Sequence, residues 1–342
     1  MQDLRATNAG HSGDRDDLGA LRDLPGLDAF GPRPLADLHR HIDGSMRAET
    51  LRALAAAEGL ELAEIPRFVA GMGLDAALAC FATTLRTLGR PEAVARVAAE
   101  ICEDAAAEGV GTLELRFAPQ LHGRPGEPAV DRARMARMVA AAAEGIDGRA
   151  GLLLCALYGE PPALVETLVD LAIAAPAVVG VDLAGGPAPG ASFGMAHYGP
   201  AFRRARRAGL GVTVHAGEGR PPAEIALAIE QLGALRIGHG TTLLDDPRVV
   251  ALVRDAGVTI EACIRSNVHV GAIARPDDHP IGALLAQGVR VCICTDNTLL
   301  SAVDAVAEHS LARTLPGMDD AALLRAISHG HAARFVREEG RS

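Results

Sequence analysis

The chain has no tryptophan and no lysine; all 33 of its basic residues are arginine. Without a lysine amine, Schiff-base catalysis is excluded, and so is a metal pair bridged by a carboxylated lysine. Aromatic residues are only 3% of the 342, so a core drawn from the 49% apolar content must be built from Ala, Leu, Val and Ile. No stretch approaches eighteen consecutive apolar residues, and no membrane span is expected. The opening MQDLRATNAGHSGDRDD is acidic and lacks the apolar centre of a signal peptide. A net charge of −10 argues against a nucleic-acid-binding surface. Six cysteines (Cys80, Cys102, Cys155, Cys263, Cys292 and Cys294) sit mostly in apolar runs without a C-x-x-C knuckle. Reduced core thiols and a cytoplasmic location are therefore expected.

What is present is an alternation. Eight strand-like runs follow one another: LADLHRHID (35–43), GTLELRFAP (111–119), GLLLCALYG (151–159), AVVGVDLAG (177–185), LGVTVHAGE (210–218), LRIGHG (235–240), VTIEACIRSN (258–267) and VRVCICTDN (289–297). Segments rich in Ala, Leu, Arg and Glu separate them, for example 130–145, 162–174, 222–232 and 247–256. Prolines open these segments (Pro161, Pro221, Pro247) and glycines close them (Gly109, Gly209, Gly257, Gly288), as helix boundaries require. The pattern predicts an α/β fold with a parallel sheet closed into a (β/α)8 barrel, a doubly wound open sheet being the alternative. Residues 45–108 are too many for one crossover, so extra helices should follow the first strand. Residues 1–30 read as a flexible polar lead-in, and 31–340 as a single domain.

The stretch DLHRHIDG carries the first chemical signal. On a strand, alternate side chains share a face, so Asp37, His39, His41 and Asp43 would line one side. Most other strand-like runs also turn polar toward their C-terminal ends, with Glu114 and Arg116 in the second, Asp182 in the fourth, His215 and Glu218 in the fifth and His239 in the sixth. Ser266 and Asn267 end the seventh, and Asp296 and Asn297 the eighth. A barrel gathers these ends on one face, where barrel enzymes place their active sites. His39, His41, His215 and Asp296 would offer one zinc ion three imidazoles and a carboxylate, with a position left for water. His239 could serve as base or electrostatic stabiliser, and Glu218 as acid if burial or neighbouring negative charge keeps it protonated. Such a set fits displacement of an amine by water, and amide or ester hydrolysis nearly as well.

Taken in order, DLHRHIDGS, LELRFAP, VGVDLAGG, FRRARRAGLGVTVHAGE, LRIGHG and CTDN resemble the successive motifs of the adenosine deaminase family, from about residue 35 to 340. The resemblance implies a (β/α)8 barrel holding one zinc ion per chain. It implies hydrolytic deamination of adenosine and 2′-deoxyadenosine to the inosines, a small-molecule purine nucleoside being the partner. His39, His41, His215 and Asp296 would bind the metal. Glu218 would protonate purine N1, and His239 would orient or deprotonate the attacking water, which Asp296 also holds. Gly185 would meet the N3 edge through its backbone and Asp43 the sugar hydroxyls. Asn297 would face N7 with its amide donor, and His41 would also border the substrate.

Three stretches depart from the family pattern. The eighth strand ends Thr295-Asp296-Asn297 where two acids are common, Arg265 replaces a neutral residue at the expected mouth, and Gly186–Gly190 replaces an acidic pair. These changes point to a modified or anionic adenine nucleoside as the alternative substrate, with a non-catalytic nucleoside binder as a third reading. Phe68 and Phe81 remain to cover a purine. His197 and His269 read as exposed loop residues, and His11, His122, His279, His309, His329 and His331 as surface residues. Arg203, Arg204, Arg206 and Arg207 read as a solvated helix face. No exposed apolar stripe in the sequence fixes an oligomeric state.

Overall fold

A computed structural model describes residues 35–123, 131–187 and 190–337 of the protein. Eight strands form one sheet in the order of the sequence, every neighbouring pair parallel. They are β1 (Leu35–His41), β2 (Val110–Phe117), β3 (Gly151–Leu157), β4 (Val178–Ala184), β5 (Gly211–Ala216), β6 (Arg236–His239), β7 (Thr259–Ala262) and β8 (Arg290–Ile293). The order never reverses, which eliminates the doubly wound alternative. Beyond β8 the barrel seam is held by Asp296, whose N–H donates to the His39 carbonyl at 2.7 Å while its carbonyl accepts from His41 N at 2.8 Å. The hydrogen bonds that close the barrel thus bring three of the expected ligands together.

Three helices follow β1, as the length of that segment requires: α1 (Ala48–Ala57), α2 (Leu74–Thr87) and α3 (Pro91–Ala107). In α3, Val94, Val97, Ala98, Ile101 and Ala105 recur at helical spacing, and all are buried against the barrel. The stripe of α2 (Leu74, Leu78, Phe81, Leu85) instead overhangs a cavity at the C-terminal mouth. The segment expected at 130–145 forms a helix over Arg132–Ile146, started by Asp131, whose carboxylate accepts from Ala133 N and Arg134 N. Among the described residues no helix is long and apolar enough to cross a membrane.

The barrel interior below the site is ionic where branched aliphatic layers are usual. Arg116 spans Asp182 (2.9 Å) and Glu261 (3.0 Å), and Arg236 joins Glu261 (2.6 Å) to Glu114. All five side chains are buried. Buried charges are tolerated only when paired in this way. Phe335 closes the lower end, lying 3.6 Å beneath the Arg236 guanidinium, and its N–H donates to Glu114.

Several histidines expected at the surface are not there. His122, His279 and His309 are buried. His122 packs edge-on against Phe117, and His309 reaches the Ala305 carbonyl of its own helix at 2.7 Å. His122 also comes within 3.8 Å of Asp43, and His279 lies 3.3 Å from Asn267. His329 and His331 are half-buried, and His11 lies outside the described residues, as does the 1–30 lead-in. His197 is exposed as expected, though on a helix (Met195–Arg207) rather than a loop; His269 is half-buried at the end of the helix Ile264–His269. All six cysteines are free thiols.

Candidate active site

At the C-terminal mouth four ligand atoms converge. His39 Nε2 lies 3.1 Å from His215 Nε2 and 3.3 Å from His41 Nε2. Asp296 Oδ1 is 3.5 Å from the first and 3.4 Å from the last of these histidines. A tetrahedral shell with zinc–ligand distances of about 2.0–2.1 Å has edges of roughly 3.3–3.4 Å. These separations match neighbouring ligands of one small ion, and the donor set of imidazole and carboxylate suits zinc; His39, His41 and His215 form one candidate ligand group, and His39, His239 and Asp296 a second that shares His39.

Carboxylates behind two of the rings aim them. Glu261 Oε2 sits 2.7 Å from His39 Nδ1, and Asp182 Oδ1 sits 3.2 Å from His215 Nδ1. Each neutral ring then donates its Nδ1–H backward and turns its Nε2 lone pair to the centre. Burial pushes Asp182 and Glu261 up, yet both are held below the usual carboxylate range, Asp182 by His215 and Arg116, Glu261 by Arg116 and Arg236. Burial and Arg116 push His39 down, but hydrogen bonds to Asp296 and Glu261 carry it to about 9. The electrostatics thus favour positive charge at this centre, as a metal ion would supply.

The second flank is built differently. Gly217 turns the chain after β5 at φ 67°, where a Cβ would also strike Ile225, and so delivers Glu218 to the cavity. Glu218 is 8% exposed, and burial, followed by the charge of Asp296, raises its carboxyl to about 7. His239 Nδ1 lies 3.4 Å from Glu218 Oε1, and burial with the neighbouring His215 and His39 keeps its ring neutral, well below the ordinary histidine value. His239 and Asp296 both adopt left-handed backbone angles (φ 69° and 63°), rare for non-glycine residues and costly unless the surroundings enforce them. Ser266 donates a hydrogen bond to Asp296 and helps to hold it.

A cavity of about 280 Å³ opens over this cluster. Its polar floor includes His41, Asp43, His215, Glu218, His239, Asp296 and Asn297, with Gly185 at one side. Phe68 and Phe81 border it, as expected of residues that cover a purine. Asp43 Oδ1 is buried without a hydrogen-bond partner in the protein, a group left for a ligand. Asn297 Oδ1 packs on Gly44, where no Cβ would fit, so the amide nitrogen is the end turned away from that contact.

Arg265 is not at the mouth. It lies outside the cavity lining, with Nε 3.3 Å from Glu308. His269 and Gly186 do not line the cavity either, and residues 188 and 189 lie outside the described set. Two residues gained an importance the sequence reading did not give them. Glu261 is a lone carboxylate inside an otherwise apolar strand, a signal that a buried polar partner exists. Asp182 was visible at its strand end without its role behind His215.

Comparison with known proteins accords with this geometry. The adenosine deaminase family model matches residues 34–342. An adenosine deaminase of Erwinia tasmaniensis is 34% identical over 90% of this chain and 95% of its own. Among solved structures, an adenine deaminase from Arthrobacter aurescens superposes with a TM-score of 0.77 at 24% identity, covering 89% of this chain and 94% of its own. An amidohydrolase from Burkhoderia ambifaria with bound Zn gives 0.76 at 26% identity, covering 91% and 88%. With the family model matched from residue 34 to 342 and a curated relative 34% identical over nine-tenths of the sequence, the chain belongs to the adenosine deaminase family.

Proposed function

We propose that the protein is a zinc-dependent aminohydrolase that converts adenosine and 2′-deoxyadenosine to inosine and 2′-deoxyinosine with release of ammonia. One observation carries the reading: the donor atoms of three imidazoles and a carboxylate converge beside a cavity that also holds a buried carboxyl raised to about 7. His39, His41, His215 and Asp296 would hold the metal. When bound, zinc supplies a water acidified toward neutral pH.

The protein groups supply the rest. Glu218, protonated, donates to purine N1, which makes C6 electron-poor and open to addition of water. His239 and Asp296 Oδ2, which also accepts from Ser266, hold that water in line. The exocyclic amine then leaves C6 as ammonia with one proton of the added water, while the other replaces the proton that Glu218 gave to N1. Asp43 accepts from the sugar hydroxyls, the Gly185 backbone meets the N3 edge, and Asn297 donates to N7. His41 borders the substrate beside its metal role. Residues 31–340 would act as one catalytic domain.

The cavity lining also bears on substrate charge. No arginine is among the described lining residues, and the chain has no lysine. A neutral nucleoside meets partners there, whereas an anionic group would enter without a counter-charge. Arg265, the reason to consider an anionic substrate, is engaged by Glu308 instead. The test is ultraviolet-monitored conversion of adenosine by zinc-loaded protein, with adenosine 5′-monophosphate alongside. The reading expects adenosine to be the better substrate by kcat/KM; turnover of the monophosphate alone would overturn it.

A further inference from the structure

His239 can act on the attacking water in two opposite ways, as a base that takes a proton or as a donor that gives a hydrogen bond. Which one depends on the ring nitrogen that carries the single proton of the neutral imidazole. A chain of buried groups behind the site decides this, and it starts at a main-chain amide.

The Ile281 N–H donates to His279 Nδ1 at 3.2 Å. That nitrogen is therefore a lone pair, and the one proton of the buried neutral His279 ring must sit on Nε2. Burial favours the neutral ring, pushing His279 down to about 3. His279 Nε2 lies 3.3 Å from Asn267 Oδ1, so the bond runs from the ring to the amide oxygen. This fixes the orientation of a side chain that is 0% exposed. With Oδ1 committed, the Asn267 amide nitrogen faces the site, 2.9 Å from His239 Nδ1 and 3.4 Å from Glu218 Oε1. Its two hydrogens match these two acceptors. The reverse orientation would set the Asn267 NH2 against the His279 N–H, donor against donor, at the cost of two buried unsatisfied groups.

We infer that the His279–Asn267 pair is a positioning device that fixes His239 with its proton on Nε2. His239 thereby presents an N–H donor to the pocket, which makes it an orienting group for the water rather than its base. The same pair settles Glu218. Oε1 faces the Asn267 N–H at 3.4 Å, which favours the proton of the neutral acid on Oε2. One turn of main chain at Ile281 thus sets the donor and acceptor pattern of His239 at the end of β6 and of Glu218 in the turn after β5.

The test reads the tautomer directly. In zinc-loaded, 15N-histidine-labelled protein, the wild-type His239 ring, assigned by its loss in His239→Gln, should show the Nε2–H pattern. In His279→Leu the amide is free to turn, and a mixture with the Nδ1–H form should appear. In that variant kcat should fall on the order of ten- to a hundredfold, the usual effect of removing an outer partner of a site histidine. KM and zinc content should hold steady. His279→Gln keeps an N–H donor toward Asn267 and should restore both the tautomer and most of kcat. A wild-type His239 in the Nδ1–H form would overturn the inference. So would a His279→Leu protein with wild-type tautomer and kcat. The consequence for kcat rests on the deaminase reading, whereas the tautomer does not. If the wild type converts no purine nucleoside, that reading fails while the spectra still judge His239.

Discussion

The two flanks of the mouth use the same residue type toward opposite ends. On the flank of β1, β4, β5 and β7, the rear nitrogens of His39 and His215 meet carboxylates, Glu261 and Asp182, at 2.7 and 3.2 Å. On the flank of β6 and the helix Ile264–His269, the rear nitrogen of His239 meets the Asn267 amide at 2.9 Å. A carboxylate accepts the rear proton and leaves a lone pair at the front, suited to a metal. An amide N–H fills the rear lone pair and leaves a proton at the front, suited to a polar ligand. On the proposed reading, the difference between a metal-binding and a water-orienting histidine is made one residue behind it, in a buried network.

This contrast can be broken from either side. The largest effect is expected on the acid flank: Glu218→Gln removes the proton donor and should lower kcat by about 10²–10⁴-fold, with bound zinc unchanged by metal analysis. Next come the carboxylates of the metal flank. Asp182→Asn should weaken zinc binding on the order of 10–100-fold in competition with a chelator, and activity should return when zinc is added in excess. Loss of kcat at saturating zinc would mean that Asp182 does more than aim His215.

The pH profile separates the flanks again. Glu218 donates only while protonated, and its carboxyl is raised to about 7. The protonated fraction is complete well below that value and falls about tenfold per pH unit above it. The expected kcat/KM therefore declines on the alkaline side, and zinc, by offsetting the Asp296 charge, should set the midpoint of the loaded enzyme below 7; a profile flat to pH 9 would contradict the assignment. The smallest effect should come from Arg265→Ala. The side chain faces Glu308 outside the cavity, so kcat and KM should stay unchanged for neutral and anionic nucleosides alike.

Much of this was legible in the sequence. The barrel followed from eight alternations of apolar strand and amphipathic helix, and the extra helices from the length of 45–108. His39, His41, His215 and Asp296 were found because strand ends in such a barrel must converge. Glu218 and His239 followed from the same rule, as did Asp43 and Asn297 at the cavity wall, whereas Gly185 came from the family resemblance alone. The network behind them was not legible. Glu261 reaches His39 across 222 positions, and His279 matters only because a turn carries it back under Asn267. Such contacts leave no periodicity, which is why His279 read as a surface residue. Arg265 was misplaced for the reverse reason. It lies one residue from Ser266 at a strand end, but it enters a helix there and turns toward Glu308.

The most direct test compares zinc-loaded wild type with Glu218→Gln on adenosine, following inosine and ammonia while zinc is quantified in both. The account predicts one inosine and one ammonia per adenosine from the wild type, and a variant that keeps its zinc but loses most of kcat. Two proteins with full zinc and equal turnover would contradict the role of Glu218, and two with full zinc and no turnover would contradict adenosine as the substrate.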